Sequence, residues 1–96
     1  MHEKIVDMII DEAKEVNKKL ANKIPVELRE DAPLFGENGV LDSIALVTLL
    51  VAVEQSGEDE FGIPLILADE KAMSQKNSPY HSIGALAHYV NSLLNE

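Results

Sequence analysis

The chain has 96 residues, of which 46% are hydrophobic and 4% aromatic, and its formal net charge is −9. A chain of this length can build one modest hydrophobic core, so we expect a single domain over residues 1–96. Cysteine is absent from the sequence, which excludes disulfides, thiolate metal ligands and a cysteine nucleophile.

The negative charge is concentrated in the middle of the chain. Residues 1–29 hold equal numbers of acidic and basic side chains, whereas residues 30–70 hold no Lys or Arg. Such a field repels nucleic acid and anionic membranes and attracts basic protein surfaces, and an acidic face kept for solubility gives the same pattern. The acidic residues of this middle stretch are Glu30, Asp31, Glu37, Asp42, Glu54, Glu58, Asp59, Glu60, Asp69 and Glu70.

The sequence carries no sign of export or of a membrane span. Its first residues are not a basic lead followed by an apolar stretch, as a secretory signal would be. The longest apolar run, residues 44–53, is broken only by Thr48. As a helix it would extend about 15 Å, half of what a membrane crossing needs. We therefore expect a soluble, cytoplasmic protein, and separately we expect a monomer.

Residues 3–20 predict an amphipathic first helix, because their apolar side chains recur at the spacing of one helical face. Pro25 and Pro33 then bracket a stretch that should not be helical throughout, which makes residues 21–42 a long connection. Connections of this length are functional or disordered in most domains. Its apolar residues predict that this one packs on the core: Ile24, Val26, Leu28, Leu34, Phe35, Val40 and Leu41.

A second helix is predicted to begin at Ser43, with Asp42 or Ser43 as its N-cap. It is predicted to end near Gln55, before a polar segment at residues 56–60 that leads out of the helix. A short helical turn over residues 69–74 and a further turn at 77–79 follow. Ser82 is predicted to cap a last helix whose inward residues are Ile83, Leu86, Ala87, Val90, Leu93 and Leu94. The predicted fold is all-α, a small bundle of three main helices plus one short helix.

Ser43 is the candidate functional residue, since it lies where a glycine-containing loop meets the apolar second helix. Taken alone, an Asp-Ser pair at a helix start is a favoured cap worth about 1 kcal/mol. Serine catalysis is disfavoured, because Leu41 and Ala45 occupy the glycine positions of a nucleophile elbow. His81 and His88 can share a helical face, but no third ligand is evident and His2 belongs to a chain end expected to fray. We therefore expect no metal site.

The order of motifs resembles the acyl carrier protein family, and the resemblance covers almost the whole chain. It rests on Leu34-Phe35-Gly36, Leu41-Asp42-Ser43-Ile44, the apolar helix, Phe61-Gly62-Ile63 and Ser82-Ile83-Gly84-Ala85-Leu86. The resemblance implies that Ser43, flanked by Asp42 and Ile44, carries 4′-phosphopantetheine transferred from coenzyme A by a separate phosphopantetheinyl transferase. The chain would then be a carrier of acyl thioesters in fatty-acid, lipid or secondary metabolism, and not an enzyme. Its further partners would be acyl-transferring or ligating enzymes with basic docking surfaces.

The second helix departs from the family pattern, which often places acids on the exposed face of that helix. Residues 44–53 contain none. If Val47, Leu50 and Val53 face the core, the outer positions are small and uncharged. The expected docking residues are therefore Glu37 in the loop and Ala45, Thr48 and Ala52 on the helix.

Two alternatives stay open. The apolar helix after Leu41-Asp42-Ser43 resembles aminoacyl or peptidyl carriers of the D-alanyl type about as well. An unmodified helical interaction module, whose apolar second helix docks a partner, is an alternative of another class.

Overall fold

Three α-helices and one 3-10 helix make up the architecture in the computed structural model, which describes residues 2–20, 23–36, 39–62, 64, 66–67 and 80–94. Helix α1 is His2–Asn17, the 3-10 helix is Val26–Asp31, α2 is Ser43–Phe61 and α3 is Ile83–Leu94. These ranges contain no β-strand and confirm the predicted small all-α bundle. The short helix expected over residues 69–74 and the turn expected at 77–79 lie outside the described residues.

Helix α1 is the central element, since it packs against α2, α3 and the 3-10 helix. Its buried side chains follow the predicted apolar face: Ile5, Val6, Ile9, Ile10, Ala13 and Val16. The helix ends at Asn17, three residues earlier than predicted, because polar groups stop it there. The Asn17 side chain exchanges two hydrogen bonds with the backbone of Ile24, and Lys23 Nζ donates to the carbonyls of Asn17 and Leu20.

The long connection packs on the core as predicted. Ile24, Leu34 and Leu41 are buried, although Leu28 is half exposed and does not join them. The connection contains the 3-10 helix, which is not among the predicted elements. Arg29 interrupts this helix with a φ of 53°. Beyond it the backbone pairs with the segment that precedes α3, where the Leu34 amide donates to the His81 carbonyl at 3.0 Å.

Helix α2 is longer than predicted, since it continues past Gln55 to Phe61. The polar segment 56–60 stays helical because it packs beside α1, where Ser56 Oγ donates to Glu12 and Lys4 Nζ lies 2.6 Å from Glu60. Gly62 ends the helix in the left-handed region at a φ of 68°, and its amide donates to the Glu58 carbonyl.

Two of the three residues expected on the buried face of α2 lie there. Leu50 and Val53 face the core as expected, together with Leu46, Leu49 and Gly57. Val47 does not, because its side chain remains 38% exposed. At 100° per residue, the direction of Val47 lies well away from the mean direction of the buried set. The prediction that Val47 faces the core is therefore wrong.

Helix α3 forms as predicted. Ser82 caps it, since its Oγ accepts from the Ala85 amide at 3.1 Å and its carbonyl accepts from Leu86. Of the expected inward residues, Leu93 and Leu94 are half buried and the others are fully buried. Gly84 is buried too, because the 3-10 helix passes close to it.

Candidate functional site

Ser43 is the first residue of α2, and its side chain is exposed. Asp42, the residue before it, has an extended backbone with φ −84° and ψ 178°. Helical geometry therefore begins at Ser43 itself. The buried Leu41 fixes this junction from one side and the buried Leu46 from the other. The fold thus places an exposed serine at the start of a helix that is packed on the core on both sides of it.

Asp42, and not Ser43, is the N-cap of α2. Its Oδ1 accepts a hydrogen bond of 2.7 Å from the amide of Ala45, the third helical residue. Its carbonyl accepts the Leu46 amide at 2.9 Å, which is the first bond of the helical ladder. This settles which of the two expected residues is the cap. The Ser43 hydroxyl is left outside the capping interaction.

The surface next to Ser43 is apolar. Ile44 is 77% exposed, and Val47 and Val51 are 38% and 41% exposed. Their spacing of three and four residues aligns them in one row on the helix. We call Ile44, Val47 and Val51 the outer row. It begins immediately beside Ser43 and extends two turns along α2.

The three expected docking residues on α2 do not lie together on its outer surface. Ala45 and Ala52 are half buried, whereas Thr48 is exposed and donates its hydroxyl proton to the Ile44 carbonyl at 3.0 Å. All three line a groove of about 320 Å³ between α2 and the end of α1 with the turn that follows it. The opposite wall is formed by Glu12, Glu15, Val16, Lys19 and Leu20. The fourth expected docking residue, Glu37, is outside the described residues.

Some of the acids that follow the apolar part of α2 are engaged within the chain. The Glu54 carboxylate accepts a hydrogen bond from the Leu67 amide, and Glu60 pairs with Lys4. Glu58 and Asp59 are exposed on the last turns of α2. Negative charge that is open to solvent therefore lies at the far end of the helix from Ser43, in addition to Asp42 beside it.

A second cluster of titratable side chains lies away from Ser43, at His2, Glu30 and His88. The sequence does not predict this cluster. His2 is expected to lie at a frayed chain end, and no third metal ligand is evident beside His81 and His88. In the structure His2 begins α1, and it contacts the Glu30 carboxylate. The hydrogen bond from His2, with smaller contributions from the charges of His2, His88 and Arg29, holds the pKa of Glu30 below its usual range.

Comparisons with known proteins give no match to a family model, a curated protein or a solved structure. Among the described residues, no helix combines the length and the apolarity that crossing a bilayer requires.

Proposed function

We propose that this chain is an acyl carrier protein, with Ser43 as the attachment site of 4′-phosphopantetheine. The observation that carries the proposal is the division of roles between two neighbouring residues. Asp42 caps α2 through its side chain, and Ser43 presents an exposed hydroxyl at the first helical position. Modification of Ser43 would therefore leave the hydrogen bond that begins the helix intact.

The start of α2 is also favourable for a phosphodiester. The amides of the first helical turn and the positive end of the helix dipole favour negative charge at this position. The Asp42 carboxylate is itself negative, but it is turned onto the Ala45 amide. When attached, phosphopantetheine supplies a flexible arm ending in a thiol, on which an acyl group is held as a thioester.

Attachment needs only the hydroxyl that Ser43 offers and a separate phosphopantetheinyl transferase. The Ser43 oxygen replaces the nucleotide part of coenzyme A on the pantetheine phosphate, and the nucleoside bisphosphate and the hydroxyl proton leave. Nothing in this role asks the chain to catalyse a reaction, so we propose a carrier and not an enzyme. An aminoacyl or peptidyl cargo of the D-alanyl type would use the same attachment site.

The proposed partners are the transferase and the acyl-transferring or ligating enzymes that meet the loaded arm. Their contact surface would include the outer row, which adjoins Ser43, together with Thr48. Exposed acids at Glu58 and Asp59 would steer basic surfaces of a partner towards α2. Ala45 and Ala52 would be reached through the groove beside α1.

The intact mass of the protein after incubation with coenzyme A and a promiscuous transferase tests the proposal. We expect the wild-type chain to gain one phosphopantetheine and Ser43→Ala to gain none. Ser92→Ala, which removes an exposed serine on α3, is the matched control and should be modified as the wild type is. An unmodified wild type, or a modified Ser43→Ala variant, would overturn the assignment.

The exposure of the outer row favours a second candidate, an unmodified helical module that docks a partner or a second copy of itself. Apolar side chains in a row beside one another are typical of contact surfaces. Sedimentation of the unmodified chain tests the self-association form of this candidate. Self-association that Val51→Asp abolishes, combined with no mass gain, would favour it over the carrier.

A further inference from the structure

Three side chains with metal-ligating atoms meet where α1, the 3-10 helix and α3 come together. His2 is the first residue of α1, Glu30 lies in the 3-10 helix and His88 lies in α3. Nε2 of His2 contacts Oε1 of Glu30, and the two imidazole rings are 4.9 Å apart between centroids. One ligand atom from each residue lies within 4.8 Å of the other two.

The backbone fixes this meeting point, because Gly84 allows α3 to approach the 3-10 helix closely. A Cβ atom at Gly84 would lie 3.0 Å from the Glu30 carbonyl oxygen and 3.1 Å from Glu30 Cβ. His88 follows Gly84 by four residues, one turn along the same face of α3. The close approach at Gly84 therefore places Glu30 beside His88.

Two further contacts hold the 3-10 helix in place. Arg29 donates a hydrogen bond of 2.7 Å to Asp7 of α1, and the Ile83 amide at the start of α3 donates to the Ala32 carbonyl at 3.0 Å. The carboxylate of Glu30 is thus held between the two helices that supply the histidines.

We propose that His2, Glu30 and His88 form a binding site for a divalent transition-metal ion of the zinc type. Two imidazole nitrogens and one carboxylate oxygen are a ligand set that suits Zn²⁺, with a fourth position left for water. Mg²⁺ and Ca²⁺ are poor candidates, because they prefer oxygen ligands throughout.

The geometry requires only a small adjustment of side chains. Zn–ligand bonds of about 2.0–2.1 Å in a tetrahedral arrangement place ligand atoms roughly 3.3 Å apart. The three atoms here lie within 4.8 Å of one another. Rotation of exposed side chains can close this gap, and Glu30 and His88 are both exposed while His2 is partly so. A bound ion would link three elements that are distant in sequence, and would stabilise the folded chain.

The test uses Zn²⁺ itself, titrated into chain that carries no affinity tag, with calorimetry and thermal unfolding as readouts. We expect one ion per chain and, at tenfold excess over the dissociation constant, a rise of about 5–10 °C in melting temperature. Co²⁺ in place of Zn²⁺ should give the visible absorption of a tetrahedral site.

Variants identify the ligands. His88→Ala and Glu30→Gln should each weaken Zn²⁺ binding by about tenfold or more, because even residues that only support metal ligands have effects of that size. His81→Ala removes the histidine outside the cluster and should bind as the wild type does. The metal-free melting temperature of each variant shows that it folds. Absence of Zn²⁺ binding by the wild type, equal weakening by His81→Ala, or half an ion per chain would overturn the three-ligand site.

Discussion

Replacing Asp42 and Ser43 separately by alanine tests whether the cap of α2 and the proposed attachment residue are distinct. Asp42→Ala removes the acceptor of the 2.7 Å hydrogen bond from the Ala45 amide. Loss of an N-cap side chain costs about 1 kcal/mol, and loss of a carboxylate near the positive end of the helix dipole adds a few tenths. We expect Asp42→Ala to lower the free energy of unfolding by about 1–2 kcal/mol.

Ser43→Ala should behave differently. The Ser43 side chain is exposed, and alanine has the higher helix propensity at a helical position. We therefore expect its free energy of unfolding to stay within about 0.5 kcal/mol of the wild-type value. Asp42→Asn is the matched control, because it keeps a capping oxygen and loses only the charge, so a loss of a few tenths of a kcal/mol is expected.

Urea unfolding followed by circular dichroism measures these differences. The midpoint should fall for Asp42→Ala at an unchanged slope, because the surface exposed on unfolding stays the same. In thermal unfolding, a loss of 1 kcal/mol corresponds to about 4–8 °C for a chain of this size. If Ser43→Ala lost as much stability as Asp42→Ala, the serine would contribute to the cap and the proposed division of roles would be refuted.

The remaining predictions concern burial, the end of α2 and acid stability. Leu49→Ala should lower the free energy of unfolding by about 2–5 kcal/mol because Leu49 is fully buried, whereas Val51→Ala on the outer row should lower it by less than about 1 kcal/mol. Equal losses for the two variants in urea unfolding would contradict the orientation of α2. Gly62→Ala should cost about 1–2 kcal/mol because the φ of 68° strains any side chain there, and an unchanged melting temperature would speak against the left-handed cap. The hydrogen bond from His2 depresses the folded-state pKa of Glu30, so its contribution is present above the unfolded-state pKa and is lost as the pH falls through the folded-state pKa. On acidification with a chelator present, the melting temperature of Glu30→Gln should therefore fall less than that of the wild type. Melting temperatures that fall equally with pH in the two proteins would contradict this.

Signals that act within one helical turn were readable in the sequence. The amphipathic pattern of α1 predicts its core face, because its apolar residues recur every three or four positions and charged residues fill the positions between them. Ser82 was identified as a cap from its position before an apolar run, and Asp42 was one of two candidates for the cap of α2. Capping needs only a side-chain oxygen within reach of an amide two or three residues on, so it does not depend on the rest of the fold.

The orientation of α2 could not be read in the same way. Residues 44–53 contain no charged side chain, so their pattern does not distinguish the core face from the outer row. The expectation that Val47 faces the core is wrong for this reason. The end of the helix was misplaced for a related reason. The polar composition of residues 56–60 indicates a segment after the helix, but these residues stay helical because α1 packs beside them. Gly62 is a local signal for a left-handed cap and marks the observed end of α2.

The all-α class, the approximate positions of the main helices and the place of Ser43 at the start of α2 follow from local sequence, because each depends on neighbouring residues. Which side of α2 is exposed, and which residues meet at the His2–Glu30–His88 cluster, depends on how the helices pack. His2 and Glu30 are 28 positions apart, and no local pattern connects them. They come together because buried side chains pack α1 and α3 around a shared core, and because the absence of a side chain at Gly84 lets the 3-10 helix approach.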